Sequence, residues 1–228
     1  MTPAVERLGL VPVKGLSWNS PDRIEVQAGG VTGDRLWSPV TSDLRCIRAT
    51  DHPSMVGVGA GSEDLPTVER DVLFQGAEQI VHYYTRRVPA RIFGGRLAEH
   101  LSEAAGQRLL LARAGEPGSF LWSSPVSVLL RSELPGLPGD VDRYRANVVI
   151  DDRDAPLKAV PGSRLVLGEV VLRFERELDR CVVINHHPVT GHRDASLLKR
   201  LRPGALLGYG CKVLRAGPLG VGAPATMS

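Results

Sequence analysis

From Val5 to Arg86 apolar and polar residues alternate in short runs. VERLGLVPVKG, DRIEVQAGG, RLWSPVTSD and QIVHYYTR are separated by Gly, Pro and Asp, and a period of two between such breaks predicts half-buried strands. The period changes in GGRLAEHLSEAAG, where Leu97, Leu101 and Ala104 stand at helical spacing and Gly106 is placed to end the helix. RLLLAR then returns to a strand pattern. SPVSVLL, NVVIDD and RLVLGEVVLRF continue it, and in the last of these Gly168 and Glu169 separate two apolar runs as a two-residue hairpin turn of type II′ does. CVVIN, Cys181 to Asn185, reads as one more strand. After the turn PVTG, Asp194 is placed to cap a short helix, ASLLKRL, with Leu197, Leu198 and Leu201 on one side and Pro203 as its stop.

This pattern predicts a mainly β chain with a few helices, of α+β class. The segment Gly115–Gly118, with Glu116 and Pro117, is the expected seam between residues 1–115, a small β-barrel or sandwich subdomain, and residues 116–228, a second mostly β unit. The two halves do not alternate βαβ, and neither GxGxxG nor GxxxxGK[ST] follows a strand, so Rossmann and P-loop nucleotide sites have no support.

Composition narrows the function classes. With 228 residues and 43% hydrophobic content, the chain can bury a core without disulfides or a structural metal. Its N-terminus lacks the basic start and apolar run of a signal peptide, and no apolar stretch approaches a bilayer span, so a cytoplasmic location and no membrane partner are expected. Cys46, Cys181 and Cys211 show no CxxC spacing, which points away from a disulfide framework, a zinc site or an iron–sulfur motif. A net charge of +3 is too mild for a general nucleic-acid binder. The basic residues are mostly arginine, suited to bidentate contacts with phosphate or carboxylate.

Four places combine chemistry with context. Cys181 follows Arg180, with Arg173 and Arg176 upstream; guanidinium groups favour the thiolate, which attacks sulfur or binds a soft metal. The alternative is a small buried hydrophobe on a strand. On an extended segment Arg143, Arg145 and Asn147 share one face fit for phosphate oxygens or a heterocycle edge; a solvated strand edge with ordinary ion pairs to Asp140, Asp142 and Asp151 is the other reading. Lys14 closes a strand, and Arg35 follows the Gly29, Gly30, Gly33 turn as part of either an anion nest or an ordinary surface hairpin. His186, His187 and His192 flank PVTG without zinc spacing, and a polar turn accounts for them.

In order, VPVKG, AGGVTGDRLW, DHP, RYRAN and LDRC with the following PVTG resemble the signature of the MOSC family with its N-terminal β-barrel, which includes the C-terminal part of molybdenum cofactor sulfurase and the amidoxime-reducing proteins. The resemblance runs from Val5 to about Val221. It implies a MOSC-type β-barrel behind an N-terminal β-barrel subdomain, a molybdenum–pterin cofactor with the metal on Cys181, and cofactor contacts from Lys14, Arg35, Arg145 and Asn147, with Arg143 and Arg180 flanking. The activity it implies is reduction of N-hydroxylated or other N–O or S–O small molecules, with electrons from a ferredoxin or flavin reductase; the alternative is a cofactor holder, or a carrier of sulfur as a Cys181 persulfide. Pyridoxal phosphate is not expected on this chain. The sequence departs from the pattern at Gly15, where serine is usual, Thr50, where arginine is common, Trp122, where the residue is small or acidic, and Ala146, where it is proline; the segment DAPLKAV lacks the acidic and tryptophan pattern often found there.

Overall fold

A computed structural model describes residues 2–60, 64–67, 70–74, 77–134, 141–178, 181–200 and 208–228, the side chain of Arg200 excepted. In chain order its strands are β1 (Ala4–Leu8), β2 (Arg23–Gln27), β3 (Gly30–Val31), β4 (Trp37–Val40), β5 (Gln79–Tyr83), β6 (Arg86–Phe93), β7 (Leu110–Ala114), β8 (Val126–Leu130), β9 (Val148–Asp151), β10 (Arg164–Leu167), β11 (Val170–Glu177), β12 (Tyr209–Arg215), β13 (Gly217–Gly220) and β14 (Ala225–Met227). Helix α1 (Arg96–Ala105) lies between β6 and β7, and α2 (Leu197–Arg200) between β11 and β12. This is the mainly β, α+β architecture that the alternation predicts.

Seven strands form one sheet in the order β1-β9-β8-β12-β11-β10-β14. Its two edges nearly meet. Ala4 bridges Pro224, and the amides of Val5 and Ala225 donate to Ala223 and Pro3, each at 2.9 Å. Near-closure into a barrel removes most of the exposed edge. Alternate residues point inward, among them Val128, Leu130, Val148, Ile150, Leu172 and Phe174, and Phe174 meets Tyr209 edge to face at 5.1 Å. The three-stranded sheet β13-β2-β3 adds Ile24, Val26, Val31 and Leu219 to the same core. The Gly168–Glu169 hairpin joins β10 to β11, with Gly168 at φ +59°, a conformation that costs glycine nothing.

The four-stranded sheet β4-β7-β6-β5 is antiparallel throughout. Helix α1 buries Leu97 and Leu101 in a cluster with Trp37, Phe93 and Leu111, and it ends as its sequence demands, with Gly106 in the left-handed region at φ +66°. Phe120 packs with Val81, Tyr83 and Ile92 of this sheet, while β1 and β2 pair with β9 and β13. Strand pairing and packing therefore run in both directions across the 115–118 segment.

Three local expectations fail. Val182–Asn185 form a 3-10 turn instead of a strand: Ile184 is buried against Leu197, and that packing outweighs the β preference of Val-Val-Ile. The RYRAN segment is likewise not extended, since Val141–Tyr144 are a 3-10 turn and Arg145 takes φ +55°. Asp194 does not cap α2; it is held by Arg143, and the Asn185 side-chain oxygen accepts the Leu198 amide at 2.9 Å. Leu201 and Pro203 lie outside the described residues.

Topology decides where chemistry gathers. Strands β8 and β9 are parallel, with Val128 opposite Val148, so the chain must cross back to the end where β8 began. The described part of the returning connection, residues 141–147, brings Arg143, Arg145 and Asn147 to this end. Strand β1 also leaves the sheet here, with Leu8 opposite Val148, and leads into the turn that carries Lys14. Strand β11 reaches the same end, where Arg176 faces Gly210 and Gly210 faces Ser127, before the chain continues to Cys181.

Candidate functional site

At this end lies a cavity of about 510 Å³, within the usual size of small-molecule sites. Lys14, Arg35, Arg143, Arg145, Asn147 and Cys181 all line it. Arg180, the remaining residue implied by the resemblance, lies outside the described residues. Gly15, Thr50 and Trp122, where the chain departs from the family pattern, also face the cavity.

Its frame is a buried polar network centred on Asp34 and Asn147, each 2% exposed. One Asp34 carboxylate oxygen accepts the Val11 amide at 2.8 Å; the other accepts from Arg35 and, at 3.1 Å, from the Asn147 amide nitrogen. That nitrogen also donates to Gly9 O at 3.2 Å, and the Asn147 oxygen accepts from the Ser127 amide at 3.0 Å and hydroxyl at 2.9 Å. The amide's two donors and its two acceptor positions are thus committed inside the protein. Asn147 joins the chain after β1, the turn carrying Arg35 and the start of β8.

The turn before Arg35 is not an anion nest. The amides of Thr32, Asp34 and Arg35 donate to Glu25 O, Val31 O and Val11 O; Arg35 itself sits at φ +47°, paired with Asp34 and reaching Arg145 O at 3.3 Å. Arg143 is a clamp: it grips both carboxylate oxygens of Asp194 at 2.8 and 2.7 Å and donates to His186 O at 2.9 Å. It thereby holds the loop that begins at Cys181, and it keeps the Asp194 carboxyl below the usual carboxylate range.

Lys14 and Arg145 are different, because neither has a carboxylate partner among the described residues. The Lys14 amide donates to Trp37 O, and its Nζ stands 4.8 Å from the centre of the Tyr83 ring. Desolvation, with added repulsion from Arg35, Arg145 and Arg86, brings its ammonium down to about 7. Arg145 donates to Leu16 O, and burial followed by the Arg35 charge brings its guanidinium down to about 10. Depressed values on adjacent cations mean that an anion placed between them would be welcome. Cys181 is half-buried, unpaired, and close enough to Arg145 for its charge to be felt there. Cys211 is fully buried, with its thiol pushed far up by desolvation, and Cys46 is raised to about 11 for the same reason.

Further lining residues were not marked by sequence reasoning as ligand contacts. Ser124 and Tyr144 are among them, with hydroxyl oxygens that are buried and without a hydrogen-bond partner among the described residues, Ser124 Oγ lying against Gly210. Tyr84 and Trp122 stand in contact at its mouth, ring centres 4.3 Å apart. One signal was available: the two-residue hairpin loop Tyr84–Thr85 contains none of the Gly or Asn that such loops prefer. Among the described residues no group of three or more His, Cys, Asp or Glu could hold a metal. A metal on Cys181 must therefore draw most of its ligands from a cofactor. The groups present fit that demand: one soft thiol and two cations without a carboxylate partner among the described residues on a single cavity.

Comparison with known proteins bears on the family and the fold. Residues 120–226 match the model of the MOSC domain, a family associated with molybdenum-cofactor binding. The crystal structure of the YuaD protein from Bacillus subtilis superposes on the whole of this chain and 96% of its own, with a TM-score of 0.50 at 16% identity, a likeness of fold. That of YiiM from Geobacillus stearothermophilus overlaps 46% of this chain and 54% of its own, with a TM-score of 0.32 at 15% identity. Among curated proteins none matches the chain.

Proposed function

We propose, for a chain whose residues 120–226 belong to the MOSC family, that it is a molybdenum-cofactor-binding oxidoreductase in which Cys181 ligates the metal. Lys14 and Arg145 take the anionic end of the cofactor, and the substrate is a small N-hydroxylated or other N–O or S–O compound. The observation that carries this reading is the meeting of one accessible thiol with two unpaired cations in a single cavity. A thiolate is a soft ligand of the kind such a metal accepts, and buried cations hold phosphate most strongly where water is excluded.

When bound, the metal centre supplies oxygen-atom removal from the substrate. The chain's own residues do the rest. Asp34 and Asn147 fix Arg35 and the crossing loop, and the left-handed Arg145 turns its guanidinium inward toward Leu16 O. Arg143, through Asp194, holds the Cys181 loop. A cavity open at its mouth admits substrate beside the thiolate. Reduction needs electrons from outside, and with no flavin motif or cysteine cluster of its own the chain calls for a ferredoxin or flavin reductase partner.

Molybdenum content decides. Protein made in a host that produces the cofactor should carry the metal, and Cys181→Ala should lose most of it while keeping its unfolding midpoint. Equal molybdenum in both would overturn the ligand assignment. A molybdenum-free protein bearing one added sulfur on Cys181 by mass spectrometry would replace the oxidoreductase with a sulfur carrier. If the metal is present, reduction of an amidoxime with an artificial electron donor tests turnover, and its absence reduces the protein to a holder.

A further inference from the structure

The mouth of the cavity has a chemistry distinct from its floor. Trp122 is 60% and Tyr84 47% exposed, and both line the opening. Their rings are tilted at 56°. The Arg48 guanidinium lies 5.9 Å from the Tyr84 ring and is steadied by two hydrogen bonds to Asp51, at 2.6 and 2.9 Å. Arg86 donates to Leu121 O, tying the segment that bears Trp122 to the hairpin that bears Tyr84.

Two features set this pair apart from incidental surface aromatics. Tyr84 takes φ +53°, a conformation that costs a bulky residue about 1–2 kcal/mol and that Asn or Gly would adopt more cheaply at a two-residue hairpin tip. Such strain collects at functional positions. Of the non-glycine residues at positive φ, Arg35 and Arg145 line the same cavity and Leu44 does not. In addition, two large aromatics are left together in water on the cavity that Cys181 also lines, an exposed apolar patch of the kind that marks a ligand site.

We infer that Trp122 and Tyr84 are a stacking platform that selects substrates with a flat aromatic or heteroaromatic ring, whose polar group points inward past the mouth toward Cys181, the cations of the floor being taken by the cofactor. The inference rests on the cavity being the ligand site proposed above and adds the class of molecule that enters it. The ring lies against Trp122 and the face of Tyr84, with the Arg48 guanidinium alongside.

The test uses the molybdenum-loaded protein and two carboxylates of similar size, benzoate and cyclohexanecarboxylate, titrated by calorimetry. The planar acid should bind about fivefold or more tightly than the puckered one, a modest stacking increment. Trp122→Leu should bring the ratio to within about twofold while leaving cyclohexanecarboxylate affinity and molybdenum content in place. Tyr84→Asn should lower the ratio and leave the urea midpoint unchanged or raised, since the turn loses its strain. A wild-type ratio near one, or a ratio that Trp122→Leu leaves intact, would overturn the inference. So would Tyr84→Asn protein that is less stable with the preference retained, because the pair would then be structural. Binding seen only in cofactor-free protein would also overturn it, by giving the platform to the cofactor. Equal molybdenum in wild type and Cys181→Ala sinks the metal assignment yet leaves loaded protein to titrate, so failure here and failure there are read separately.

Discussion

Asn147→Asp is nearly isosteric, yet it changes a donor into a charged acceptor at the centre of the frame. The two acceptor contacts from Ser127 survive. The nitrogen that donates to Asp34 at 3.1 Å and to Gly9 O at 3.2 Å is replaced by oxygen, so two carboxylates face each other in a buried site. At that separation and an effective dielectric of about 20, leaving both ionised costs about 5 kcal/mol. Keeping one protonated at pH 7 costs about 4 kcal/mol, from roughly three units above an ordinary carboxylate value at 1.36 kcal/mol each. Protonation is the cheaper outcome at neutral pH, and the pair then titrates as a unit. The folded variant holds a proton that the unfolded chain releases, so its stability falls as pH rises. The penalty relative to wild type should be about 1.5 kcal/mol at pH 5 and about 4 kcal/mol at pH 7, levelling near 5 kcal/mol above about pH 8. Urea unfolding at intervals from pH 5 to 8 measures it. A penalty that does not change with pH, or one below about 1 kcal/mol at pH 7, would refute the claim that these side chains share a buried contact; Asn147→Ala, which adds no charge, serves as the flat control.

Asp194→Asn weakens the Arg143 clamp by removing its charge; we expect a loss of about 0.5–1.5 kcal/mol for this partly exposed pair and a several-fold faster reaction of Cys181 with a disulfide reagent, followed by absorbance. Gly191→Ala places a methyl 2.5 Å from Ser54 O at a φ of +68°, where the opposing atom is backbone and cannot swing aside; a loss of about 2 kcal/mol or more in urea unfolding is expected. Sulfate, which does not titrate in this range, should bind cofactor-free protein up to about tenfold more weakly at pH 8 than at pH 6, because above about 7 its binding must recharge Lys14. Lys14→Met should flatten that dependence in calorimetric titrations, and an unchanged slope would remove Lys14 from the anion site.

How far the sequence reached depended on how local the cause was. Helix α1 and the Gly168–Glu169 hairpin follow from spacing and from one glycine each, so pattern alone sufficed. The Cys181–Asn185 segment has the composition of a strand, but the contact of Ile184 with Leu197 bends it into a turn, and nothing within five residues announces a partner that far away. The RYRAN segment shows the same limit from the other side. Its basic residues stand out by type and order, but on the premise that an extended chain aligns them on one face. They reach the cavity because a parallel strand pair forces a crossing and Arg145 adopts a left-handed turn.

That difference changes what each basic residue is able to do. Residue type and order mark Arg143, Arg145 and Asn147 alike, but hydrogen-bond partners divide them. Arg143 is committed to Asp194 and His186, and Asn147 to Asp34, Gly9 and Ser127, whereas Arg145 keeps a charge with no carboxylate against it. Lys14 joins it: among the described residues no carboxylate pairs with it, and the buried Asp34 is already engaged by Arg35, Asn147 and the Val11 amide. A cavity whose structural cations are neutralised and whose remaining cations are not has its ligand-binding polarity decided by its scaffold, with the anionic end of any ligand directed to Lys14 and Arg145. Cys181 lines the same cavity as these cations and the exposed Trp122–Tyr84 pair, so a ligand with its anionic end on Lys14 and Arg145 shares that cavity with the one accessible thiol.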